Sequence, residues 1–566
     1  MKKLKISFLL FLIAVSQFLA GCKAEPSAEL PVKTDHPPLA SDETVIQAST
    51  AEAESPASVK ELATSPAYGD KVIYHLQYQP ESLNPICYND AISKYLFRVL
   101  YNGLVRYDKD LKLIPDLAGT WEISNDQRSI TFTIKPGIKW HDGFPFSIDD
   151  VIFTSRMICD QKLSSIPKEP FLNIDTIESL SPLKIKIDYF KASYLNLSAW
   201  KVGILPKHIC VQADLDHLNR HPIGTGPFRF VEWIPNTQIV LEANQEYFDG
   251  SPYLNQFIFK IVPDLSAAFL QMINGEIDLM NLKVDYYVKQ ADTIQFKEKF
   301  NVFHWPSSQS FSLILFNLDN PLFLDLKVRR AINHAVNVQR MISDVLYGYG
   351  QQISGPFPRN SWTYDESVFP VKYSTAEASS LLSEAGWKDN DNDGILESGN
   401  KEFAFQLIVA GENYRYLNSA KLVIEDLKQI GIKAELIICE NQMFLAKADS
   451  HNFEAMLTGW KQDEDSNPFS DWHSSSIPEK NVRTGYNYSG LKNSQIDKII
   501  EEILLTSDQE KLTALFHQFH RKIAEELPGI FLFSADTMAA VNKRIKGIEM
   551  GVAGFYNNPE RWYVPE

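Results

Sequence analysis

The chain is predicted to be an α/β protein of two or more domains. Its 566 residues exceed what one ordinary core organises, since domains run to roughly 100–250 residues, and a hydrophobic content of 44% can fill more than one core. "KVIYHLQY" and "SITFTIK" alternate apolar and polar residues as half-buried strands do, whereas "IDDVIFTSRMI" and "VRRAINHAVNVQRMI" carry helical spacing. Val423, Leu427 and Ile430 share one helix face, Gly431 ends that helix, and "IKAELIICE" follows as a strand. Helix leading directly into strand is the connection from which α/β lobes are built.

In chain order, the first segment is "MKKLKISFLLFLIAVSQFLAGC", three lysines before an apolar run of about 15 residues, which is signal-peptide length and short of a membrane span of about 20. It closes on Leu19-Ala20-Gly21-Cys22, which resembles a bacterial lipobox; the resemblance implies cleavage after residue 21 and diacylation of Cys22. Cleavage would remove Lys2, Lys3 and Lys5 and no acid, taking the formal charge from −16 to −19. Residues 22–68 are rich in Ala, Ser, Pro, Thr and Glu and poor in aromatics, so they bury too little surface to fold. As a flexible coil they would span on the order of 35–40 Å, a tether between membrane and domain.

From residue 69 onward the elements punctuate clearly. Ser374 and Glu377 are spaced as a capping box, Ala378, Leu381, Leu382 and Ala385 form one apolar face, and Gly386 suits the stop. Asp149 is expected to cap the helix beginning near Val151, and Gly137, Gly143, Gly224 and Gly226 suit tight turns. "KDNDNDGILE" imitates a calcium loop through Asp389, Asp391 and Asp393, but the position that should hold a bidentate Glu is Asn400, so a connecting turn is expected.

Several function classes are disfavoured by composition. A charge of −16 without any basic run argues against nucleic-acid binding. Cys87, Cys159, Cys210 and Cys439 are widely spaced, lack any C-x-x-C, and allow three disulfide pairings between which the sequence does not choose. His517 and His520 would share a helix face, but no third ligand stands near them and no metal is expected. No phosphate-binding glycine loop, H-E-x-x-H or G-x-S-x-G motif occurs, so neither catalysis nor a cofactor is expected.

The stretch with the most chemistry is "GWKQDEDSNP", Gly459 to Pro468. It follows "NFEAML", where Phe453, Ala455 and Leu457 alternate with more polar residues, so a strand is expected to run into a loop bearing Asp463, Glu464 and Asp465. Such acids can bind a metal, hold an ammonium group or simply stay solvated.

Seven segments, in order, resemble the bacterial extracellular solute-binding proteins of family 5, the oligopeptide- and dipeptide-binding subunits of ABC importers. The most diagnostic is "GIKWHDGFPFSIDDV", within the longer run from "YNGLVRYDKDLKLIPDLAGTW". It is followed by "PIGTGPFRFVEW", "NGEIDL", "FNLDNPLFLDLKVRRAINHAV", "LLSEAGWKDNDNDG", "NYSGLKNSQIDKII" and "LPGIFLF". The resemblance implies a two-lobed, periplasmic-binding-protein-like α/β fold of type II with an extra inserted subdomain and a hinge between the lobes. Lobe I would comprise residues 69–307, with the inserted subdomain near 105–222, completed by a return segment 534–566; lobe II would be 308–533.

It also implies a site. The backbone of Gly459, Trp460 and Lys461 would pair with an extended peptide, and Asp463 would receive the peptide's α-ammonium. Asn89 and Ala91 fall where the family supplies backbone contacts from the opposite lobe. Arg415, with Lys461 as second candidate, would meet the ligand carboxylate, while Asp465 would shape the loop. The implied partners are a peptide and ABC permease subunits, with the membrane reached through Cys22 and the protein a monomer. The same fold could instead carry a nickel chelate, haem or an oligosaccharide, or serve as an envelope sensor or adhesin with a degenerate pocket. An envelope hydrolase is the rival from another class, and the missing nucleophile speaks against it.

Overall fold

A computed structural model describes residues 66–565 except 89, 91, 161–165, 212–214, 479–484 and 553. The signal peptide, Cys22 and nearly all of the tether therefore lie outside the described residues. Among the described residues no helix is long and apolar enough to cross a membrane.

The two-lobed α/β architecture is organised by one strand. Gly529–Asn542 pairs through its first half with Ser310–Phe316, Gly529 opposite Leu315 and Phe533 opposite Ser312. Its second half pairs with Phe300–Pro306, Asp536 opposite Pro306 and Asn542 opposite Phe300, and with Leu279–Leu282. A sheet order of Lys433–Cys439, Ala404–Ala410, Ala455–Lys461 and Ser310–Phe316 thus continues through this strand into Leu279–Leu282, Lys71–Leu76, Gln256–Ile261, Gln238–Ala243 and Phe228–Ile234. Residues 306–310 join the two strands that pair with the two halves of this strand. There Ser534 Oγ donates toward the Ser307 and Ser310 carbonyls at 3.2 and 3.0 Å, tying the connection to the strand's middle.

Burial explains why these segments are strands. In Ser310–Phe316, Phe311, Leu313 and Leu315 enter one core while Ile314 and Phe316 enter another, so the strand is covered on both faces and reads as a nearly continuous apolar run. In Lys71–Leu76, Val72, Tyr74 and Leu76 enter the core of the other lobe. A separate antiparallel sheet, Ala118–Ile123, Ser129–Ile134, Lys184–Tyr189 and Ile174–Ser181, carries Ile130, Phe132, Ile185 and Ile187 against Val151 and Ile158 of the helix Ile148–Cys159.

Several local expectations need correction. The cap of Ile148–Cys159 is Ser147, whose amide donates to Asp150 Oδ2 at 2.9 Å; Asp149 lies inside the first turn and pairs with Lys207 at 2.6 Å. The run from Val328 to Ile342 is two helices, Leu326–Ala335 and Val338–Asp344, because Asn337 stops the first register and caps the second by accepting from the Arg340 amide. Ser374 does cap Thr375–Glu384, and Gly386 ends it with a φ of +88°, but the Ser374 amide donates to the His334 carbonyl and so the box is half formed. Among the described residues, Cys159, Cys210 and Cys439 form no disulfide, and none of the three pairings left open by the sequence is seen. His520 is a core residue: its Nδ1 accepts from the Asp365 amide at 2.9 Å, and burial lowers its pKa to about 4.

Candidate functional site

The strand Ala455–Lys461 pairs along its whole length with Ser310–Phe316, Lys461 opposite Ser310. On its other edge the parallel neighbour Ala404–Ala410 reaches only Ala455, Met456 and Leu457. From Thr458 to Lys461 that edge has no strand partner among the described residues. Its amides and carbonyls form a ready template for an added extended chain.

Side chains hold this edge in place. A Cβ at Gly459 would lie 1.9 Å from the Tyr416 hydroxyl, so the approach of that phenol requires glycine. Trp460 stacks on the buried Trp472, ring centroids 6.1 Å apart and planes at 24°. Gln462 continues the anchoring: its amide donates to the Gln309 carbonyl at 2.8 Å and its Nε2 to the Pro356 carbonyl at 3.0 Å.

The loop then turns tightly, the Ser466 amide donating to the Asp463 carbonyl at 3.0 Å. Its three acids face cations of the opposite lobe. Asp463 Oδ1 meets Lys94 Nζ at 3.0 Å, with both side chains about half exposed. Asp465 pairs with Lys201 and accepts from the Tyr107 hydroxyl at 2.7 Å, while the Tyr194 hydroxyl donates to the Asp465 carbonyl at 3.1 Å. Glu464 lies 3.6 Å from Lys201. Burial alone would raise the Glu464 carboxyl, but Lys201, helped by Arg98 and Lys94, holds it down to about 2. Burial opposes the Lys201 charge too, yet Asp465 and Glu464 drive its pKa well above the usual value.

These groups line a cavity of about 590 Å³ between the lobes, walled by Tyr88, Lys94 and Arg98 on one side and by residues 461–465 and Asp471 on the other. That volume suits a small ligand. Lys461 keeps exposed surface, but protein crowding its ammonium, together with the Lys94 charge, lowers its pKa. Burial raises Asp471 to about 7 against the pull of the Trp460 indole, and burial likewise raises Asp116, at another part of the wall, to about 7. A wider hollow of about 990 Å³ beside Gln352, Arg359 and Lys372 includes none of the loop residues, and its chemistry is less developed.

Of the residues expected from sequence, Lys461 and Asp463 stand in the cavity wall, and Gly459 and Trp460 form the strand end leading into it. Arg415 does not line the cavity; it lies at the start of the helix Tyr414–Lys428, its guanidinium carbon 5.6 Å from the Tyr416 ring centre. Asn89 and Ala91 lie outside the described residues. The sequence reading missed Lys94, Lys201, Tyr107 and Tyr194. Lys94 and Arg98 are one helical turn apart in Ser93–Leu100, a spacing that could have flagged a basic face, but nothing local pointed to the loop as its partner.

The family model for bacterial extracellular solute-binding proteins, family 5 (middle), matches residues 112–480. The oligopeptide-binding protein AppA of Bacillus subtilis is 31% identical over 524 residues, spanning 90% of this chain and 94% of that protein. The solved structure of Bacillus subtilis AppA in complex with a nonapeptide superposes with a TM-score of 0.73 at 28% identity, over 89% of this chain and 100% of that one. NikZ of Campylobacter jejuni in complex with Ni(L-His) gives a TM-score of 0.74 at 28% identity, over 87% and 99%. The lobed fold, the cavity between the lobes and the matched span lead to one conclusion: this chain belongs to the bacterial extracellular solute-binding proteins of family 5.

Proposed function

We propose that the protein captures peptides in the cavity between its lobes and hands them to an ABC permease, tethered to the membrane through an acylated Cys22. The observation that carries the peptide reading is the free edge at Thr458–Lys461, which runs into the cavity and ends two residues before a carboxylate. Backbone pairing along that edge would hold a peptide irrespective of its side chains, and Asp463 would receive its ammonium. Lys94 Nζ now stands against Asp463, in the place such an ammonium would take. The likeness to the AppA–nonapeptide complex supports the same reading.

Binding would be coupled to closure. Contacts already span the cleft: besides the loop pairs, the Tyr414 hydroxyl donates to Asp285 at 2.9 Å and the Tyr194 amide to the Thr506 carbonyl at 2.9 Å. A ligand touching both lobes would add to these and favour the closed arrangement. Membership of a solute-binding family supports reading the wall as that of a binder.

A metal chelate is the rival reading, favoured by the equal identity to the nickel–histidine complex. Native mass spectrometry of the purified protein separates the two. Retained masses that fragment as peptides support the proposal; a nickel isotope pattern in the retained ligand would replace it. For the anchor, Cys22→Ala should abolish incorporation of labelled fatty acid, and persistent labelling would contradict the assignment.

A further inference from the structure

The cavity wall is rich in acids, and its cations are paired with them unevenly. Asp463 is paired with Lys94, and Glu464 and Asp465 share Lys201. Asp116 and Asp471 are shifted toward their neutral forms by burial, as is Glu560. Glu169 lies on an exposed part of the wall.

Among the described residues, three cations of the wall form no ion pair with a carboxylate. Arg98 donates to neutral oxygens, the Tyr556 carbonyl at 2.5 Å and Asn557 Oδ1 at 3.4 Å. Arg106 and Lys461 form no ion pair among the described residues. A ligand ammonium that takes Asp463 would also displace Lys94, freeing a fourth cation next to Lys461, whose like charge it already feels. A neutral or basic peptide would leave these charges facing one another; a carboxylate between Lys94 and Lys461 removes the repulsion.

We propose that the preferred ligand is an acidic peptide carrying a carboxylate side chain on its first or second residue, held by Lys461 and the displaced Lys94. The position follows from the chain: Lys461 is two residues from Asp463, at the ammonium end. In an extended tetrapeptide the terminal carboxylate lies roughly 10 Å further along. This inference rests on the peptide reading above.

Calorimetry at pH 7 on the cargo-free protein tests it with Ala-Ala-Ala-Ala, Glu-Ala-Ala-Ala, Lys-Ala-Ala-Ala and C-terminally amidated Ala-Ala-Ala-Ala. The Glu peptide should bind at least about fivefold more tightly than the all-Ala peptide, and the Lys peptide more weakly than either. Lys461→Met should erase the Glu advantage, bringing the affinities of the Glu and all-Ala peptides to within about twofold of each other. Equal affinities of the Glu and all-Ala peptides for wild type would overturn the inference and leave the peptide reading standing. So would an equal loss for all peptides in Lys461→Met. If amidation weakens binding and Lys461→Met removes that penalty, Lys461 serves the terminal carboxylate and the inference fails. Binding of none of the four peptides would overturn the peptide reading itself.

Discussion

Two loops of this protein carry nearly the same acids and do opposite things. In the turn at Asp389–Glu397, four carboxylates bring oxygens within 4.8 Å of one another, yet they are largely exposed and engage their own loop. Asp389 accepts from the Gly394 amide at 3.1 Å, Asp393 from the Ile395 amide at 2.8 Å, and Glu397 from the Asn390 amide at 2.9 Å. The loop at Asp463–Asp465 instead reaches Lys94, Lys201 and Tyr107, all from the other lobe. An acidic cluster is thus a turn or a clasp according to whether distant cations are folded against it, not according to its composition.

The comparison breaks most severely at Lys201. Lys201→Met would strand Glu464 and Asp465, whose side chains are 24% and 15% exposed, and should cost about 2–4 kcal/mol of stability in denaturant titrations at pH 7. Acid sharpens the same point. The folded Glu464 carboxyl sits at about 2, below its unfolded value, so its contribution is present above the unfolded pKa and fades as pH falls from about 5 toward about 2. Wild type should lose stability across that window more steeply than Lys201→Met, and parallel profiles would contradict the pairing. Tyr107→Phe removes one hydrogen bond to Asp465 and should cost about 1 kcal/mol. Asp391→Ala, in the exposed turn, should change stability by less than about 0.5 kcal/mol and leave ligand affinity untouched.

What could be read from the sequence was local. The α/β alternation, the Ser374 cap, the Gly386 and Gly431 stops and the strand before the acidic loop all depend on neighbours within a few residues. The failures were also local: Asp149 is expected as the cap where Ser147 serves, because an acid near a helix start suits either the cap or the first turn, and the break at Asn337 hides inside a helical spacing. The clasp was illegible for a different reason. Lys94 and Asp463 are 369 residues apart and Lys201 and Asp465 are 264 apart, so only the fold brings them together. Asp463 itself was singled out through resemblance, and the lysine opposite it could not be.

The central claim is that Asp463 receives a ligand ammonium in the place Lys94 now occupies. Calorimetry of wild type and Asp463→Ala, each with a free-amine peptide and its N-acetylated form, tests it most directly. The account predicts that the variant loses well over tenfold affinity for the free-amine peptide, while the acetylated peptide binds wild type poorly and loses little more in the variant. Equal losses for the two peptides would contradict it, leaving Asp463 as a partner of Lys94 alone.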